Sequence, residues 1–201
     1  MIIKNIAKVC RESNSIAIYK APGKEQWIGD GCAMYAVADL PLVTRDQLCS
    51  IFDYSDKVKA RICDCKITDT AAKLLTDNYA DETYIEELPE EIAFRSNVYK
   101  MFTCAGRVFM VKESYLSPLL DISDDTVYYM RYHGDLPVLC VKRGFVTVAI
   151  IMPIMLGRDA VREYCTKLHN IIEKLDTQYF PPDADAVPED QMTMEDMEDE
   201  Y

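Results

Sequence analysis

Ile2, Ile3, Ile6, Val9 and Cys10 recur at the spacing of one helix face, so residues 2–12 predict a short amphipathic helix. The β-branched content leaves a strand as the competing reading. Ser15–Lys20 reads as a strand and Pro22-Gly23 as a turn. Gln26–Gly29 and residues 32–37 read as strands on either side of Asp30-Gly31. Pro41 ends that unit. Thr44 is the expected N-cap of a helix running to about Asp53, with Leu48, Ile51 and Phe52 as its apolar stripe. Residues 57–67 alternate with a phase shift and predict one bent or bulged strand. Residues 69–79 predict a helix, capped by Thr68 or Asp69, with Ala72, Leu75 and Tyr79 inward. Residues 81–91 are acidic, contain Pro89 and read as a loop, and 92–104 fit either strand or helix.

The pattern sharpens from Arg107. Residues 107–111 read as a strand, 112–121 as a short helix around Pro118, and 126–132, 137–142 and 145–155 as three strands. The order is β-α-β-β-β. Val161, Cys165, Leu168, Ile172 and Leu175 follow at 4-3-4-3 spacing, which predicts a C-terminal helix over about 158–176. Its single seam suits docking on the domain, with a dimer helix as the sharper alternative. Pro181-Pro182 closes the folded part. The expected organisation is one α+β domain over 1–180, in units of about 1–105 and 106–156 plus the helix. A disordered acidic tail is expected over 181–201. The sheet is expected to be mostly antiparallel.

Composition changes this picture in one respect. The chain has 201 residues, 49% of them hydrophobic, and a net charge of -12 from 22 Lys+Arg and 34 Asp+Glu. That length and apolar fraction exclude a wholly disordered chain. The acidity suggests a surface that repels nucleic acid and anionic membrane. Nine acids lie between Asp183 and Glu200, however, so residues 1–182 carry 25 acids against 22 bases, a net of -3. The body is nearly neutral and the tail holds the charge.

Candidate chemistry is sparse. No glycine-rich phosphate loop, HExxH, GxSxG or calcium-loop motif occurs, and His133 and His169 are the only histidines. Acid–base and nucleophilic catalysis need positioned titratable groups, so no enzymatic activity and no cofactor are expected. The N-terminus lacks the pattern of a signal peptide, and the longest apolar run, 146–156, is too short to span a bilayer as a helix. A cytoplasmic protein without membrane contact is the expectation, with its eight cysteines reduced and mostly buried. Cys63-Asp64-Cys65 is the one close thiol pair. It offers two ligands on a strand face, short of the four a zinc site uses, so the expectation is core packing and no metal.

Two segments carry a resemblance to one known family. The first is Trp27-Ile28-Gly29-Asp30-Gly31-Cys32-Ala33-Met34-Tyr35-Ala36-Val37, followed by a proline and the helix after Thr44. It is similar to the strand, T-D-G-x-R-L-A turn and helix of the bacterial DNA sliding clamp. Gly29 and Cys32-Ala33 replace the threonine and the basic residue of that turn. The second segment begins Tyr115-Leu116-Ser117-Pro118-Leu119-Leu120, continues through Asp124-Asp125-Thr126-Val127 and Leu136-Pro137-Val138-Leu139, and closes on Val148-Ala149-Ile150-Ile151-Met152-Pro153-Ile154. It resembles the last half-domain of the clamp, which ends M-P-M-R-L. Here Ile154-Met155 replaces the final Met-Arg. The β-α-β-β-β order is the clamp half-domain unit.

The resemblance implies a non-enzymatic, DNA-clamp-like or replication-associated factor that binds short peptide motifs of partner proteins. By motif position, Gly31, Met34, Met152, Pro153 and Ile154 would line the peptide pocket, although Met152 and Ile154 equally suit a buried strand. It also implies sequence-independent DNA contact through basic side chains. Arg45, Lys57, Lys59, Arg61, Arg107, Lys112, Arg158, Arg162 and Lys167 are the candidates. The chain holds about one clamp domain's worth of units, so a ring would require a homo-oligomer. The alternative is a regulatory interaction protein acting through its acidic tail. That tail would dock on a basic partner or compete with nucleic acid.

Overall fold

The computed structural model describes residues 1–20, 26–38, 40–94 and 96–155, together with 166, 167, 169, 170 and 174. The chain divides into two compact units, Met1–Met155 and Leu156–Tyr201. In the second unit the five described residues are helical and exposed. The remainder of the expected C-terminal helix and the acidic tail lie outside the described residues.

The first unit is α+β, with a large, mostly antiparallel sheet. It opens on α1 (Ile3–Ser13), which buries Ile6, Val9 and Cys10. The helical reading holds because those residues share a face, and amphipathic burial outweighs β-branched propensity. Asn14 ends the helix in the left-handed region. β1 (Ser15–Lys20), β2 (Gln26–Gly29) and β3 (Ala33–Val37) then form an antiparallel meander. Thr44 and Gln47 make a reciprocal capping box at α2 (Arg45–Ile51), satisfying two of the orphan N–H groups at its start. Ile51, expected on the apolar stripe, is 46% exposed.

Residues 57–67 do not form one strand. α3 (Asp56–Lys59) is a single helical turn, and only β4 (Cys63–Cys65) is extended, pairing parallel with β1. Arg45 Nη2 donates to the carbonyls of Lys59 (3.1 Å) and Ile62 (2.9 Å), which takes those groups out of any ladder. The helix expected over 69–79 is also shorter. It consists of α4 (Asp69–Ala72), capped by Thr68, and a 3-10 turn over Lys73–Leu75.

The acidic stretch 81–91 is a strand. β5 (Thr83–Phe94) pairs with β6 (Asn97–Cys104), and β6 pairs with β7 (Arg107–Lys112). Pro89 falls between Glu87 and Glu91, where the register shifts, so its missing N–H breaks no ladder bond. The helix expected over 112–121 is α5 (Glu113–Leu116) followed by a 3-10 turn over Ser117–Leu119. β8 (Thr126–His133), β9 (Leu136–Arg143) and β10 (Val146–Ile151) form a second meander. The strand expected over 145–155 breaks after Ile151, and β11 (Ile154–Met155) pairs with β7 instead.

A helix followed by a three-strand meander therefore occurs twice, as α1-β1-β2-β3 and α5-β8-β9-β10. The halves meet through their third strands, with Ala149 opposite Tyr35, Ile150 opposite Met34 and Ile151 opposite Ala33. The full order is β11-β7-β6-β5-β8-β9-β10-β3-β2-β1-β4. Only Met152 and Pro153 separate β10, inside this order, from β11 at its edge, so the sheet must curl back on itself.

Both faces of the central strands are covered. Ile6, Tyr35, Leu48, Phe109, Leu119 and Leu139 belong to the larger core, on the side of the helices. Trp27, Met34, Leu74, Leu75, Val138 and Ile150 form a second core beneath the 69–75 segment. This double burial explains the near-continuous apolar run of β9.

Candidate functional site

The second core opens to solvent at a cleft of about 100 Å³ where the two halves meet. One wall is the turn between β2 and β3. Asp30, itself buried, accepts from the backbone N–H of Cys32 (2.9 Å) and Ala33 (2.8 Å) through Oδ1. The Tyr115 hydroxyl donates to Asp30 Oδ2 (3.1 Å), and the Tyr35 hydroxyl donates to the Tyr115 carbonyl (2.7 Å). Burial and the negative charge of Asp30 hold both phenols well above their ordinary pKa, so they remain donors. Gly31 adopts φ +95°, a left-handed conformation that glycine allows without strain. The Met152 N–H donates to the Cys32 carbonyl (2.8 Å), tying the end of β10 to this turn.

The opposite wall is the 69–75 segment, which presents Ala71, Leu74 and Leu75. A buried ionic network fastens it. The Arg131 guanidinium is fully buried and donates to the carbonyls of Leu74 and Thr76, the latter at 2.8 Å. Its Nε and Nη2 also donate to Glu82 Oε2, at 3.1 and 2.9 Å. Lys142 Nζ donates to the other oxygen of Glu82. Burial opposes ionisation of Glu82, but the bonds from Lys142 and Arg131 outweigh it and hold the carboxyl below its ordinary pKa. Thr147 completes the clasp, its hydroxyl donating to the Thr76 carbonyl (3.1 Å) and its backbone N–H donating to Asp77 Oδ1 (3.0 Å).

Gly31, Met34 and Met152 line this one cleft together with Leu136, Val138 and Ile150. Pro153 and Ile154 do not line it, because the chain leaves β10 there and Ile154 pairs with Met110 on β7. The cleft offers apolar surface with His133 and Cys32 at its edge. Burial, then Asp30, raises the Cys32 thiol above its ordinary pKa, the reverse of what an activated nucleophile needs.

The expected basic residues serve varied ends. Arg45 clips the 59–62 backbone, and its Nε lies 2.8 Å from Asp64 Oδ1, off the hydrogen-bonding line. Lys59 pairs with Asp56 (3.7 Å) and Lys112 with Glu12 (3.1 Å). Lys57, Arg61 and Arg107 are exposed. Lys167 is exposed in the second unit, and Arg158 and Arg162 lie outside the described residues. Three cations escaped the sequence reading. Lys4, Lys8 and Arg11 stand at 4-3 spacing on α1, the polar complement of its apolar stripe.

Cys63 is exposed and Cys65 half-buried, which corrects the expectation that both face the core. The seven described cysteines are free thiols. Among the described residues no cluster of His, Cys, Asp or Glu is arranged to hold a metal ion, and no helix is long and apolar enough to cross a membrane. Comparison with protein-family models, curated proteins and solved structures yields no match.

Proposed function

We propose that the chain is a non-enzymatic, clamp-like protein-binding factor whose cleft takes a short apolar peptide segment of a partner protein. One observation carries the reading: Gly31 and Met34 from one half and Met152 from the other line a single apolar cleft at the junction of two helix-and-meander halves. Methionine suits such a role, because its unbranched, polarisable side chain adapts to different apolar partners. The raised Cys32 thiol and the apolar lining favour binding over catalysis. Replication-associated DNA contact is the wider form of the proposal and rests on the resemblance alone.

Peptide panels test it. Short labelled peptides with two or three adjacent Leu or Phe residues are titrated by fluorescence anisotropy against the full chain and the Met152→Asp variant. Met152 is 44% exposed, so the substitution spares the fold. Binding that weakens by about tenfold in the variant supports the cleft. Equal binding to both proteins, or none to either, sinks the reading. Light scattering on the eluted protein tests the wider form, which requires a closed oligomer and fails for a monomer that ignores DNA at low salt.

A further inference from the structure

A second groove, of about 260 Å³, runs between α1 and the turn that follows α2. Lys4, Lys8 and Arg11 line one side, while Ile3, Ile51 and Phe52 supply apolar surface. The walls are fixed relative to each other. The Tyr54 hydroxyl donates to the Ala7 carbonyl, and the Tyr54 N–H donates to the Cys49 carbonyl at 3.0 Å.

The lining carries three cations against one acid, Asp53, while residues 1–182 as a whole carry a net charge of -3. Lys4 and Arg11 make no ion pair among the described residues, and Lys8 meets only Glu12, at 3.9 Å. Ile51 is 46% exposed at the groove's edge. A local reversal of charge beside uncovered apolar surface selects a ligand that is both anionic and apolar.

We propose that this groove docks an extended acidic peptide segment of a partner protein, with an apolar side chain between its carboxylates. The spacing agrees. Lys4 and Lys8 are about 6 Å apart along the helix, at a rise of about 1.5 Å per residue. Alternate residues of an extended strand are about 7 Å apart, and the residue between them points the other way. Carboxylates at alternate positions reach the cations, and apolar residues flanking them turn onto Ile3, Ile51 and Phe52. Nucleic acid suits the surface less well. Asp53 sits in the lining and Glu12 follows Arg11 on α1, so the cationic surface is short. Sequence-independent nucleic-acid binding draws on a longer track of cations along the phosphate backbone.

The test uses the full chain and a dye-labelled synthetic peptide, Glu-Leu-Glu-Phe-Asp-Leu-Glu, with a control in which Gln and Asn replace the acids. The acidic peptide is expected to bind at low salt, and the amide control about tenfold more weakly. Lys4→Glu with Lys8→Glu is expected to weaken binding by about tenfold or more without moving the thermal midpoint. Ile51→Ser is expected to weaken it severalfold. The chain's own residues 183–201 are acidic and bear Met192, Met194, Met197 and Tyr201, so the titration is repeated on a chain ending at Pro182. Binding by either chain that is lost in the lysine variant supports the groove. Absence of binding by both, equal binding of acidic and amide peptides, or indifference to the lysine variant overturns it. So does an oligonucleotide that binds through the same lysines while the peptide does not.

Discussion

Arg131 Nη1 donates to the carbonyl of Thr76 at 2.8 Å, so a fully buried cation on β8 holds the segment that walls the apolar cleft. The same guanidinium reaches Glu82, and Glu82 reaches Lys142. Two cations thus share one carboxylate, and Arg131 alone also satisfies the Leu74 carbonyl. Removing Arg131 leaves a balanced Glu82–Lys142 pair but strips donors from the carbonyls of the 73–77 segment, and a buried polar group left without its partner costs about 1–3 kcal/mol. Arg131→Met is expected to lower stability in urea by that order and to loosen 73–77 first. Hydrogen exchange at the backbone N–H groups of 73–77 would rise ahead of the β8-β9 ladder. Simultaneous exchange of both regions would show that the network does not fasten this segment locally.

Glu82 also gives the stability a pH dependence of definite sign. Its carboxyl is held below the ordinary value of 4.5 in the folded state, so the folded protein releases this proton more readily than the unfolded chain. The stabilisation is complete above the unfolded pKa and is lost as pH falls through the folded one. Thermal midpoints are expected to fall below about pH 4.5, with Glu82→Gln less stable at pH 7 and flatter on the acid side. An acid limb unchanged in the variant would assign the effect to other carboxylates.

What could be read along the chain follows from how local each interaction is. The β-α-β-β-β order over 107–155 was legible because its strands alternate or run apolar between turn residues. The Thr44 and Gln47 cap was half legible, since its partners are three residues apart. β5 was not, because Ile85 is its one buried residue and its pairing depends on partners on β6 and β8. Lys100 on β6 lies 3.6 Å from Glu87 and also pairs with Glu91, a cross-strand match that composition hides. Of the cleft, Gly31, Met34 and Met152 were reachable from the resemblance. Leu74 and Leu75 were not, since Arg131, which holds that segment, lies 57 residues from Leu74.

Two glycines in hairpins that border the cleft make different demands. A Cβ on Gly29 would lie 1.7 Å from the Ala33 carbonyl oxygen, a backbone atom held within the β2-β3 hairpin. A Cβ on Gly134, in the β8-β9 turn, would meet nothing within 4 Å, and only its φ of +60° resists substitution. Gly134→Ala is therefore expected to cost about 1 kcal/mol. Gly29→Ala is expected to abolish soluble folded protein or cost several times more. Urea midpoints and soluble yield compare them, and similar losses at the two positions would show that the hairpin yields at Ala33.

Thiol chemistry discriminates among the cysteines by burial and charge. Cys10 donates to the Gly29 carbonyl (3.2 Å), and burial with the nearby Asp30 pushes its pKa up to about 12. Burial raises Cys140 to about 11. The thiolate is the reactive form, so both are expected to resist alkylation at pH 8 while the protein is folded. Cys63 is exposed and makes only a long contact, 3.9 Å, to the Arg61 carbonyl. Cys32 is exposed but its thiol is raised by partial burial and by Asp30. Among these four, the expected order with iodoacetamide is Cys63, then Cys32, with Cys10 and Cys140 modified only in denaturant. Peptide mass spectrometry over a time course reads that order directly. Early labelling of Cys10 would mean that α1 separates from the β2-β3 turn in the native protein, and with it the basic groove that α1 lines.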